Sequence, residues 1–219
     1  SKKQTAAGTA DAINHVIEQY FCGDSSILTD GMCEATIKSL MHNVKIALEH
    51  PDDYEARAEL MVDCSLACNG ILSIWNAPSG WPCHGIEHAL SGYYDITHGE
   101  GLAIITPKWM KHILNDKTVS RFVSYGVNIF GIDKNLPSYE IANLAIEKTY
   151  DFFKSIGIPM TLKEVGIDNS RLKEMAHHIA VNEGLENAWA PLNEKDILEI
   201  LAELADINEN IIEDYITNT

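Results

Sequence analysis

Apolar residues recur three and four positions apart along almost the whole chain. Ile13, Val16, Ile17 and Tyr20 form one such stripe, and Ile37, Leu40, Met41, Val44 and Leu48 form the next. This is the period of helices that bury one face, and the alternation of half-buried strands is nearly absent. The stripes are punctuated where helices should stop. Cys22-Gly23-Asp24 closes the first, His50-Pro51 the second, and Asn76 to Pro82 (NAPSGWP) forms a turn-rich loop. Further on, Gly131 to Pro137 separates two helices and Gly157-Ile158-Pro159 ends another, while Asp168 and Asn193 stand where N-caps of the last helices belong. These breaks predict about nine or ten helices.

The fold class expected is therefore all-α. No tandem repeat, low-complexity run or long linker divides the chain, so a single multi-helix domain over residues 1–219 is the economical reading. Neither G-x-G-x-x-G nor G-x-x-x-x-G-K-[ST] occurs, and Gly99-Glu100-Gly101 continues into neither pattern, so a nucleotide-binding α/β domain is expected to be absent. The chain opens on Ser1, already inside a helical pattern, and is expected to be part of something longer.

Composition narrows the function. With 219 residues, 46% of them hydrophobic, the chain can bury a sizeable core. Its 32 acidic against 16 basic residues give a formal charge of -16, which repels phosphate backbones and anionic membranes, so neither nucleic acid nor membrane is an expected partner. No apolar run is long enough to span a bilayer and the N-terminus has no signal core, so a cytoplasmic protein is expected. The acidic stretch Glu194 to Asp214 carries apolar Ile197, Leu198, Ile200, Leu201 and Leu204 and reads as the wet face of a packed helix. The five cysteines are odd in number and scattered through helical stretches, which predicts reduced, mostly buried thiols. Cys64 and Cys68 share a helix face but lack a second Cys/His pair, so they make a poor metal site.

Two segments carry chemistry. Asp11-Ala-Ile-Asn-His15 sets a carboxylate and an imidazole on one helix face, a spacing that taken alone describes an ordinary surface pair. The stretch from Cys83 to Gly99 then places three of the nine histidines, His84, His88 and His98, within fifteen residues. His84 and His88 share a face, and the loop before His98 can fold that residue back toward them. One carboxylate and three or four imidazoles suit iron or zinc better than magnesium or calcium, which want more oxygens. His42, His50, His112, His177 and His178 read as surface or helix-end residues. Trp75, Trp81, Ile71, Leu72, Tyr93 and Tyr94 flank the motifs and could wall an apolar pocket, although helical spacing makes each more often plain core packing.

TAAGTADAINHVIEQYF and PCHGIEHALSGYYDITHGEGLAIITPKWM, followed by RFVSYGVNIFGID, FFKSIGIPMTLKEVGI and PLNEKDILEIL, resemble the iron-containing (group III) alcohol dehydrogenases, in particular the NAD(P)H-dependent butanol dehydrogenase branch. The resemblance covers essentially the whole chain and implies the dehydroquinate synthase-like C-terminal helical domain of that family. It implies a divalent metal, Fe2+ ahead of Zn2+, held by Asp11, His15, His84 and His98, with His88 handling the substrate proton. It also implies NAD(P)H in the full-length enzyme, a small alcohol or aldehyde substrate, an N-terminal nucleotide-binding domain carrying a G-G-G-S motif, and a homodimer. Residues of this chain that would touch the nicotinamide stay unassigned. Two other readings compete with this one: a helical metal-dependent phosphohydrolase, which needs an adjacent His-Asp dipeptide that the chain lacks, and a metal-binding or oligomerisation domain without activity of its own.

Overall fold

The computed structural model describes residues 1–23, 26–75 and 80–206. Among them are nine α-helices, two short 3-10 turns and no strand, as the three- and four-residue periodicity predicts. The helices are α1 (Lys2–Tyr20), α2 (Ile27–Glu49), α3 (Tyr54–Cys68), α4 (Pro82–Tyr94), α5 (His98–Ile113), α6 (Val119–Phe130), α7 (Ser138–Ser155), α8 (Leu172–Asn182) and α9 (Glu194–Leu204), with 3-10 turns at Ile71–Ser73 and Leu185–Asn187. Asp24, residues 76–79 of the predicted loop, and the part of the acidic stretch beyond residue 206 lie outside the described residues. No described helix is long and apolar enough to cross a membrane.

Helix α5 is the central strut. It is buried along most of its length and packs on α1, α4, α7 and α9, while α1 also packs on α2 and α3. One continuous apolar core runs from Ala6 on α1 to Leu204 on α9. The start of α5 lies unusually close to α1: a Cβ added at Gly99 would sit 1.9 Å from the backbone oxygen of Ala7. Only a glycine there lets the two backbones approach, and that approach sets the first residue of α5, His98, beside Asp11 of α1.

Arg121 of α6 locks the other end of α1. Its guanidinium lies 3.8 Å over the Tyr20 ring, its Nε donates to the Tyr20 carbonyl at 2.7 Å, and its two terminal nitrogens grip Asp30 of α2 at 2.6 Å each. The last turn of α1, which has no basic residue of its own, thereby gains a charged donor for a free carbonyl.

The helix boundaries follow the sequence punctuation closely, with one correction. Gly131 ends α6 at a φ of +65°, a left-handed cap that glycine adopts without strain. Asn193 caps α9 with a complete capping box, its side chain accepting from the third-residue amide while Asp196 answers back. Asp168, expected as an N-cap, is not one: α8 begins after Arg171, and the Asp168 carboxylate instead accepts from the Ser170 amide at 2.9 Å and its hydroxyl at 2.6 Å. A short polar side chain that can close a local turn two residues ahead does so in preference to starting a helix. Cys33, Cys64, Cys68 and Cys83 carry free thiols; Cys33 and Cys83 are buried, Cys22 and Cys64 half-buried and Cys68 exposed, so fewer of the five cysteines are buried than the sequence suggested.

Candidate metal centre

Asp11 projects from the middle of α1, His84 from the first turn of α4 and His98 from the first position of α5. Their side chains converge, with His84 Nε2 lying 3.7 Å and His98 Nε2 3.8 Å from Asp11 Oδ1. One ligand atom from each of the three falls within 4.8 Å of the others. His15 stands next to this trio rather than inside it. Its Nδ1 is 3.0 Å from both the backbone oxygen and Oδ1 of Asp11, and its ring centroid is 4.3 Å from that of His84.

Asp11 Oδ1 and His84 Nε2 are buried and complete no hydrogen bond. An orphaned acceptor facing an orphaned imidazole nitrogen is costly unless a cation or a shared proton joins them. A carboxylate and imidazoles meeting at this spacing fit a divalent transition metal. The titration behaviour agrees with a site built to hold charge. Burial pushes the Asp11 carboxyl up, but the rings of His15, His84 and His98 outweigh it and hold that carboxyl well below the usual range. Burial pushes His84 down, yet Asp11 and Glu18 overcome it and raise the imidazole to about 9. His98 is raised chiefly by Glu87, against the pull of burial.

Glu18 and Glu87 escaped the sequence reading. His84 Nδ1 bonds to Glu18 Oε2, and His98 Nδ1 bonds to Glu87 Oε2. Both carboxylates have side chains that are 0% exposed. A signal existed for each: Glu18 lies seven residues beyond Asp11 on the stripe that carries His15, and Glu87 lies three beyond His84. His88 is not drawn into the trio. Its side chain is 55% exposed, it stacks on His98 with centroids 6.0 Å apart, and its Nδ1 is 3.4 Å from Glu183 Oε2.

A cavity of about 370 Å³ opens beside the centre, lined among others by His15, Cys68, Trp81, His84 and His88. Of the aromatic and aliphatic residues singled out in the sequence, Trp81 lines it, with its ring centroid 5.4 Å from His84. Leu72 is core, Ile71 and Trp75 are exposed, Tyr93 stacks under the Arg171 guanidinium at 4.1 Å, and Tyr94 is half-buried against the core. Among the remaining histidines, His112 at the end of α5 has partners that spacing could not show: Asp196 at 3.3 Å and Glu199 at 3.9 Å, both on α9. These three form a second group of ligand-type atoms, already satisfied as a bridge between the two helices.

Residues 5–205 match the Fe-containing alcohol dehydrogenase family, C-terminal. NADH-dependent butanol dehydrogenase A of Clostridium acetobutylicum is 52% identical over 201 residues, covering 91% of this chain and 51% of that protein. NADH-dependent butanol dehydrogenase B of the same organism is 48% identical over 200 residues, 90% of this chain and 51% of that protein. The crystal structure of NADH-dependent butanol dehydrogenase A from Thermotoga maritima superposes with a TM-score of 0.86 at 35% identity, over 94% of this chain and 53% of that one. The chain thus spans about half the length of the relatives it matches. Family match, sequence identity and superposition all lead to one conclusion: this chain belongs to the Fe-containing alcohol dehydrogenase family and corresponds to its C-terminal, all-helical part.

Proposed function

We propose that this chain is the metal-binding part of an NAD(P)-dependent alcohol dehydrogenase that interconverts short primary alcohols and aldehydes. Asp11, His15, His84 and His98 hold one divalent ion, iron in preference to zinc, and His88 carries the hydroxyl proton between site and solvent. The observation that supports this most directly is the convergence of Asp11 Oδ1, His84 Nε2 and His98 Nε2 from three helices, two of those atoms being buried without a partner. His15 has Nδ1 engaged with its own helix and offers its other nitrogen. NADH is the expected nicotinamide because the relatives described above are NADH-dependent by name. The free thiols of Cys33, Cys64, Cys68 and Cys83 agree with a reducing, cytoplasmic setting.

When bound, the metal supplies Lewis acidity that lowers the pKa of an alcohol hydroxyl, and the nicotinamide supplies the hydride acceptor. The chain's own residues supply the rest. Asp11 contributes one negative charge and the neutral imidazoles none, so around a divalent ion this ligand set would leave one net positive charge facing the cavity. Trp81 beside His15 and His84 gives the cavity an apolar wall, which suits a chain of a few carbons and keeps water from the reacting carbon. His88, at the cavity lining and open to solvent, is placed to take the hydroxyl proton and release it.

Elemental analysis of the purified chain, loaded anaerobically with iron or zinc, tests the ligand set. About one ion per chain is expected, with Asp11→Ala, His15→Ala, His84→Ala and His98→Ala each lowering it sharply. His88→Ala should leave metal content intact and lower turnover in the assembled enzyme. Wild-type chain that takes up no metal from excess, or an His84→Ala chain that keeps it, would overturn the assignment.

A further inference from the structure

We infer that Glu18 and Glu87 are positioning residues, which turn the His84 and His98 rings so that each Nε2 faces Asp11. The inference rests on reading Asp11, His84 and His98 as metal ligands, and it concerns what makes them competent.

A histidine has two ring nitrogens, and a side chain left to itself offers either one in either tautomer. A carboxylate at Nδ1 removes that freedom, because it accepts a hydrogen bond from Nδ1–H and leaves the Nε2 lone pair free. Here both rings are treated alike: Glu18 Oε2 meets His84 Nδ1, Glu87 Oε2 meets His98 Nδ1, and the opposite nitrogens lie 3.7 and 3.8 Å from the same oxygen of Asp11.

The two carboxylates are themselves held. Glu18 Oε1 accepts the Cys83 backbone N–H at 2.7 Å, at the start of the helix that carries His84. Glu87 Oε1 accepts from the Ser91 hydroxyl one turn along its own helix. Gly101 makes room for Glu87, since a Cβ there would lie 2.8 Å from both Glu87 Cγ and Oε1. The glycine two residues after Gly99 thus serves the carboxylate, whereas Gly99 serves the approach of the two helices. Both carboxylates are fully buried, and their partners are histidine rings and neutral donors. Burying two such groups is expensive, and a divalent cation beyond the imidazoles offsets that cost.

Cobalt(II) titration of the whole chain, followed through its visible absorption bands, provides the test. Glu18→Gln and Glu87→Gln should each weaken binding about 10- to 100-fold with the same stoichiometry at saturation, and should shift the bands. The pairing makes a sharper demand. Glu18→Gln should cost nothing further on a His84→Ala background and its full factor on His98→Ala, with the reverse pattern for Glu87→Gln. Gly101→Ala, which crowds Glu87 without removing it, should weaken binding in the same direction, and it decides the matter for Glu87 if the Gln variant does not fold; Cys83→Pro, which removes the amide that holds Glu18, does so for Glu18. Gln variants that bind cobalt as the wild type does, or that lose the same factor on both backgrounds, would overturn the inference while leaving the ligands standing. Wild-type chain that binds no cobalt removes the ligand reading and this inference together.

Discussion

His84 is the residue on which burial and charge are most finely balanced. Burial alone would favour its neutral form, but Asp11 and Glu18 on either side raise it from 6.5 to about 9. A basic group with a raised pKa holds its proton more tightly in the folded state, so the stability it contributes is complete below about pH 6.5 and is lost as pH rises through about 9. With metal stripped by chelator, the wild-type chain should lose on the order of 2 kcal/mol of stability across that window, read from thermal melts, and His84→Gln should lose much less. Equal slopes in the two proteins would show that the imidazole does not store this energy. Gly99 gives a second test at this scale. A methyl group 1.9 Å from the Ala7 carbonyl oxygen cannot be accommodated without parting α5 from α1. Gly99→Ala should cost about 1–3 kcal/mol or more in urea denaturation and should lower metal uptake as well, because His98 is the next residue. Neither effect was legible in the sequence: the clustering of histidines marked the site, but which carboxylate each ring would meet depends on residues 66 and 11 positions away.

At the scale of elements, α1 carries Asp11, His15 and Glu18 along one stripe, and its far end is fastened by Arg121 of α6. Arg121→Ala removes a part-buried bidentate pair and the donor to the Tyr20 carbonyl, so it should cost about 1–3 kcal/mol by chemical denaturation. Replacing both partners, as in Arg121→Met with Asp30→Leu, should recover most of that loss. If the double variant is as unstable as the single, the Tyr20 contacts rather than the pair carry the energy. Helix ends were partly legible. The Asn193 capping box could be read because it is complete within four residues, and the Gly131 cap because glycine tolerates positive φ. Asp168 was misread because an N-cap and a local turn use the same side chain in the same short sequence. The Arg121 lock was invisible because its partners lie 91 and 101 residues away.

For the whole molecule, the candidate centre joins α1 to α4 and α5, so an ion bound there staples separate parts of the core. With metal at about 100 times its dissociation constant, linkage adds about 2.7 kcal/mol, or about 5–10 °C in melting temperature for a chain of this size. A chelator should reverse the shift, and His84→Ala should abolish it; a shift that survives in His84→Ala would place the ion elsewhere, with the His112 group of α5 and α9 the first place to look. What the sequence determined by itself was most of what depends on near neighbours along the chain: the all-helical class, most helix ends, and the residue types of the candidate metal centre, because helical periodicity and four-residue spacing are local geometry. The tertiary structure alone decided that Asp11, His84 and His98 converge while His15 stands beside them and His88 faces solvent, and that Glu18 and Glu87 stand behind the two rings. Those relations arise where α1, α4 and α5 cross, and the distance of closest approach there is set by packing against the shared core, at Gly99 and Gly101, rather than by any spacing along the chain.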